Sequence, residues 1–495
     1  APCSASRWVP ATISRWCALW RAALMAIASG GHAMTVGIGW VLGEFPNGRE
    51  LHNSSRLRPR HRVECGQHLL HLAKGEVSRM NPNSERFDLS NRLIHFFRPL
   101  DLESDDSPGG PEEWGAGGIV EDTLLSPFFL LRNAVRLGRI WATWSFRKGR
   151  RTIYGPHPAV CFTEMPLGAF IEAGEGRQAK GEAMSPYALV FPKAPLHARG
   201  ARPVIYGLSE SPYIPNGQGG GERLIPDDAL PRLEQYRYVT HAPDARIDWT
   251  HEREWRWPFR GSLPYSEDGI SHGSEIPGFE IDQQNFDGIG AVVKTVEQAH
   301  RLIYDILTIT DREPSGFCQY EFVVARENIN DLSALRDPQY SEGLIASSSF
   351  SLREFFNLPR MRISELVANY MSLMRSVSAS PPPAHAYAHE TGGCWLWLTD
   401  NRQPLVRALL AENLAHVNQD GRYLVDLPEF DIKFSLRQRE EMTKILANLL
   451  QQNAGVSATY HSVLNSHDPN GVPHYSDPPL DNNFHFNYAH RTQDF

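Results

Sequence analysis

The chain has 495 residues, 41% of them apolar and 21% charged, with a formal net charge of −8. That balance belongs to folded globular proteins and excludes a disordered or collagen-like chain, and the length calls for two or more domains. The modest negative charge excludes nucleic-acid binding through the whole surface, leaving room only for a local basic patch. Six cysteines (Cys3, Cys17, Cys65, Cys161, Cys318 and Cys394) lie far apart with no C-x-x-C pair. This argues against a cysteine-rich zinc module or a stapled secreted scaffold and for a reduced, cytoplasmic setting.

Residues 1–80 read unlike the rest. They carry ten Lys/Arg against four Glu and hold no helical or alternating pattern for long. They are expected to be a disordered or non-native leader. The nearly uncharged stretch Ala22–Leu42 offers the other reading, an export or membrane segment, but Gly30, Gly31, His32, Gly37 and Gly39 dilute it. No membrane contact is expected.

From Met80 the pattern sharpens. Leu93–Phe97 predicts a buried strand and the Gly/Pro-rich Asp101–Gly118 a loop. Ser126–Leu137 predicts a helix capped by Gly138. Ala159–Thr163, Tyr187–Phe191, Pro203–Tyr206, Arg253–Trp257, Ile289–Val293 and Tyr320–Val324 read as strands. Asn216–Gly221 is a loop without the order of a dinucleotide fingerprint. Thr295 and Gln298 form a capping box ahead of an amphipathic helix, and Ile363–Met374 is another helix. Ser376–Ala388, with three consecutive prolines, predicts a linker. Beyond it Cys394–Leu398, Pro404–Leu414, Arg422–Val425, Ser435–Gln452 and Val456–Val463 predict a β-α-β-α-β module, succeeded by a polar, aromatic tail. The expected architecture is α+β: a mixed-sheet domain over residues 81–375, a linker over 376–392, and a smaller α/β domain over 393–495.

The ordered series VCFTEMPL (160–167), YALVFPK (187–193), RPVIY (202–206) and HEREWRW (251–257), opened by IHFFR (94–98), resembles the AbiGi family of abortive-infection proteins. The resemblance covers roughly residues 93–324. It implies a phage-defence pair in which this component is described as the antitoxin, with a cognate toxin or phage component as protein partner. Departures are the long insert 174–185 and Pro186. The C-terminal block, with GGCWLWLTDN and LRQREEM, resembles a domain of unknown function found in such fusions. A second resemblance is to ADP-ribosyltransferases of the toxin and defence kind, which implies NAD as cofactor.

That chemistry needs a carboxylate beside an oxocarbenium-like ribose, a His or Arg gripping the dinucleotide, and a ring to stack on the leaving base. Glu252 and Glu254, two apart on a predicted strand, would share one face; the alternative, commoner on strands, is that they pair with Arg253, Arg256 or other bases on an exposed edge. Glu164, at a strand end before Pro166, lines a cleft or caps the next helix. His95 is a core side chain or a ligand, Arg98 is the better anion anchor, and Tyr154 is the candidate stacking ring. The basic run Arg147–Arg151 is a solvated face or an RNA contact. The tail acids and histidines, from His467 to His490, match no metal-ligand frame, so no metal site is assigned. Whether the chain is catalytic stays open between a transferase, a non-catalytic antitoxin and an RNA binder.

Overall fold

A computed structural model describes residues 89–101, 104, 124–147, 150–181, 184–209, 223–245, 247–261, 277–281, 286–313, 317–383, 390–430 and 434–474. The expected leader, nearly all of the loop after Asp101, the glycine-rich loop at 216–221 and the tail beyond His474 lie outside these residues.

The N-terminal body is built on an eight-stranded mixed sheet. Its strands are β1 (Arg92–Phe96), β2 (Ala159–Thr163), β3 (Ala188–Pro192), β4 (Arg202–Pro203), β5 (Glu254–Pro258), β6 (Ile289–Val293), β7 (Tyr320–Ala325) and β8 (Ser349–Ser351). In space the order is β8-β7-β6-β3-β1-β2-β5-β4, with only β6 and β7 parallel. The fold class is α+β.

Strand alternation splits the apolar residues between two cores. On one face Leu93, Phe162, Leu189, Phe191 and Val293 pack with Phe128 and Leu131 of helix α1 (Pro127–Arg136). On the other, Ile94, Val190, Val292 and Val324 pack with Phe170 and Ile171 of helix α2 (Leu167–Gln178). Ser126 caps α1 by accepting from the Phe129 amide, Pro127 opens its first turn, and Gly138 takes the left-handed conformation (φ 60°) just past its end. Helix α3 (Val296–Arg312) carries the expected reciprocal capping box of Thr295 and Gln298 and lays Leu302, Ile303, Ile306 and Leu307 on the first core.

The expected strand 203–206 is two strands in two sheets: β4 joins the large sheet, while Ile205–Tyr206 pairs in parallel with Tyr238–Val239. The expected linker also begins later than its sequence suggests. Helix α4 (Arg360–Ala379) runs through Ser376–Ala379, and the prolines at 381–383 stop it. Its Tyr370, Met374 and Val377 are buried in the C-terminal core, so α4 belongs to the C-terminal body.

That body continues with β9 (Gly392–Leu398), α5 (Pro404–Ala411), β10 (Ala415–Val417), β11 (Tyr423–Val425), α6 (Leu436–Ala454) and β12 (Ala458–Leu464). The sheet order is β10-β11-β9-β12, antiparallel throughout. The short β10 has no sequence signature, because its Ala415-His416-Val417 run is too brief to show a period. Trp395 and Trp397 are buried on one strand face.

Gly392 opens β9 at φ +146°, where an added Cβ would overlap the Val463 carbonyl oxygen of the neighbouring strand. Gly392→Ala is therefore expected to destabilise the chain by about 2–4 kcal/mol through combined backbone strain and overpacking. Chemical denaturation of the variant beside the parent measures it, and an unchanged midpoint would contradict the register of β9 and β12.

Candidate functional site

A cleft opens where β1 and β2 part. Their single paired position is Ile94↔Thr163. Past it, β1 stays on β3, whose ladder the Phe97 amide extends by donating to the Tyr187 carbonyl at 2.9 Å, while β2 stays paired with β5. The imidazole of His95 reaches across the gap and its Nδ1 lies 2.8 Å from the Cys161 carbonyl oxygen. A carbonyl only accepts, so Nδ1 carries the proton and Nε2 is an acceptor nitrogen. Burial, helped by the nearby charge of Arg98, pulls the His95 pKa down to about 4, and the ring is neutral at pH 7.

The cleft encloses about 330 Å³, at the lower end of ligand-pocket sizes. It is lined by His95 and Arg98 from β1 and just past it, by Cys161, Thr163, Glu254 and Arg256 from β2 and β5, and by Tyr154, Arg223, Thr240, Arg147 and Trp249. Five arginines (98, 147, 177, 223 and 256) meet two glutamates (252 and 254), an excess of three positive charges facing the cavity. Such a lining favours an anionic ligand.

Both acids are held by arginines. Arg256, buried, forms a two-pronged pair with Glu254 (2.7 and 3.1 Å) and donates to the Tyr236 carbonyl at 2.7 Å. The Glu254 carboxylate raises the Arg256 pKa against the opposing effect of burial. Arg177, near the end of α2, pairs with Glu252 at 2.9 Å. Burial first, and the Glu254 charge second, push the Cys161 thiol far up, so it is no thiolate nucleophile.

The two glutamates reach the cleft by a different route from the one their spacing suggests. Glu252 ends a 3-10 turn (Thr250–Glu252), Arg253 is left-handed (φ 44°), and the strand starts only at Glu254. A kink, and not strand alternation, brings both side chains to one cavity.

Glu164 does not join them. Its carboxylate pairs with Lys193 at 2.8 Å and accepts from the Trp255 indole at 2.9 Å, with Arg253 at 3.6 Å. Alternation puts Trp255 on the opposite face from Glu254. Glu164 does not cap α2 either, whose N-cap is Pro166 without a side-chain bond.

Tyr154 lines the cleft, but its ring is already engaged. It is 2% exposed, with the Arg223 guanidinium 4.2 Å from its centroid and Tyr238 edge-on at 5.0 Å. Its hydroxyl lies 3.1 Å from Thr240 Oγ1. A half-buried aromatic on the cavity wall is Trp249, with Arg147 5.0 Å from its ring; nothing in the irregular run around Trp249 signals it. Arg151 stacks likewise on Trp144 at 4.0 Å.

Two imidazoles bear on acid stability. His461, 3% exposed, is depressed to about 4 by burial and by the Arg422 charge, as His95 is by its own surroundings. A folded pKa below the unfolded value of about 6.5 gives stability that is complete above pH 6.5 and is lost as pH falls toward 4, up to roughly 3 kcal/mol per histidine. His461→Gln is expected to flatten the acid limb between pH 6.5 and 4.5 in urea unfolding. A limb as steep as the parent's would sink the assignment.

A family model described as "Protein of unknown function (DUF4427)" matches residues 361–488, under half the chain. No curated protein and no solved structure matches the chain. No described helix is long and apolar enough to cross a membrane. The C-terminal body, from the first turn of α4 onward, is thus similar to a family whose function is unassigned.

Proposed function

We propose that the cleft binds NAD and that the chain is a phage-defence protein with ADP-ribosyltransferase-like activity, as the resemblance of residues 93–324 to abortive-infection proteins suggests. The observation that carries the reading is the meeting of Arg98 with Glu252 and Glu254 in one positively lined cavity. The arginines match pyrophosphate oxygens. His95 Nε2 accepts from a ribose hydroxyl, and Trp249 offers a ring to a base. Glu254 stabilises the charge that develops on the ribose as the C1′–nicotinamide bond breaks, and Glu252 orients the acceptor whose lone pair forms the new bond at C1′.

The ion pairs Arg256–Glu254 and Arg177–Glu252 favour a second reading, a non-catalytic antitoxin whose cleft is a protein-binding surface. Calorimetric titration with NAD and with ADP-ribose tests the first. Saturable binding is expected, weakened about tenfold to a hundredfold by Arg98→Ala through loss of a charge-assisted hydrogen bond. Absence of heat for both compounds, in a folded sample, leaves the antitoxin reading standing.

A further inference from the structure

We infer that the C-terminal family domain is a helix-docking module, and that the helix it grips in this chain is α3, the helix backing the sheet that forms the cleft. One side of α3 is apolar and belongs to the N-terminal core through Leu302, Ile303, Ile306 and Leu307. Its other side presents Tyr304, Thr308, Asp311 and Arg312, at i, i+4, i+7 and i+8, which fall on one helical stripe.

The C-terminal body reads that stripe group by group. Tyr304 is buried in its apolar core with Leu405, Leu409 and Tyr423, and donates to the Gly421 carbonyl at 3.2 Å. Asn401, fully buried, donates to the Tyr304 carbonyl at 2.9 Å and lies 3.2 Å from Thr308 Oγ1. Asp311 receives both prongs of Arg407 (2.6 and 2.9 Å) and the Tyr423 hydroxyl (2.7 Å). Arg312 donates to the Asn418 and Gln419 carbonyls in the turn between β10 and β11 (2.9 and 2.6 Å).

The Arg407 and Asp311 side chains are 6% and 7% exposed, so this is a desolvated ion pair with its remaining valences filled: Arg407 also donates to the Phe355 carbonyl at 3.1 Å. Such pairs confer orientation and register more than net stability, because each charge has lost its water. A loosely tethered module would keep these groups hydrated. The described residues of both bodies also lie within one unit, Arg79–Phe495. The recognised partner is therefore a helix bearing tyrosine, threonine, aspartate and arginine on one stripe, and the module braces the sheet from behind.

The test nicks the full-length chain at a protease site introduced into the largely exposed segment 357–359, just ahead of α4. Nicked parent protein is expected to elute as one species from gel filtration in dilute buffer. Arg407→Leu, leaving Asp311 buried without its cation, is expected to weaken retention at least tenfold. Lys444→Ala, which removes an ammonium bonded to Glu441 within α6 of the same body, is expected to leave retention unchanged. Separation of the nicked parent into two folded fragments overturns the inference, as does equal retention in the Arg407→Leu protein. Neither outcome depends on whether the cleft binds NAD.

Discussion

Glu254→Gln is expected to lower nicotinamide release from NAD by about 10²–10³-fold, the usual effect of deleting one preorganised group that faces developing charge. The amide keeps the size of the side chain and one of the two acceptors of Arg256, and because the buried guanidinium loses its counter-charge the activity is compared per folded molecule. What it removes is the negative charge beside the ribose. KM for NAD is expected to change much less than kcat, since the lost interaction forms only as the glycosidic bond breaks. Glu164→Gln is the informative contrast. That residue is engaged with Lys193 and Trp255 on the far face of the sheet, so activity per folded molecule should stay within a few-fold of the parent. Steady-state kinetics on both variants separates the two carboxylates, and equal losses would refute their placement on opposite faces.

Asp305→Asn is expected to cost about 3–5 kcal/mol of stability. Asp305 is 3% exposed on α3 and is the shared counter-ion of two α1 arginines. Arg132 reaches it at 2.7 and 3.2 Å and Arg136 at 2.8 and 2.6 Å. The two cations hold the carboxyl below its ordinary pKa against the pull of burial, and burial depresses Arg132. Removing the charge leaves two guanidinium groups facing each other in a dry interface between α1 and α3. Urea unfolding at pH 7 measures the loss. A change under 1 kcal/mol would mean that water reaches the triad.

Elements are legible in the sequence wherever local chemistry is self-sufficient. Ser126, Pro127 and Gly138 announce α1, Thr295 with Gln298 announces α3, and the runs at 159–163 and 289–293 are apolar enough to be strands on their own terms. Legibility fails where tertiary pairing decides. The 203–206 run is divided between two sheets by partners far away in sequence, and Arg253 adopts a left-handed turn that alternation of H-E-R-E-W-R-W cannot reveal. The expected linker hides the end of α4, because Ser376 and Ala379 lie beside a proline run, and packing of Tyr370, Met374 and Val377 carries the helix on to it.

For the candidate site, His95, Arg98, Glu252, Glu254 and Tyr154 all line one cavity, while Glu164 lies elsewhere. The cavity itself comes from the parting of β1 and β2 after a single paired position, a feature with no local sequence signature. Trp249 is hidden for a related reason: an aromatic in an irregular segment has no periodicity to give away its direction.

The most direct measurement is transfer of label from NAD carrying a radioactive adenine to protein acceptors by the intact chain. Protein-bound label is expected to appear together with an equal amount of free nicotinamide and to be lost in Glu254→Gln. Intact NAD after prolonged incubation, with a folded protein that still binds a toxin partner, would contradict a transferase cleft.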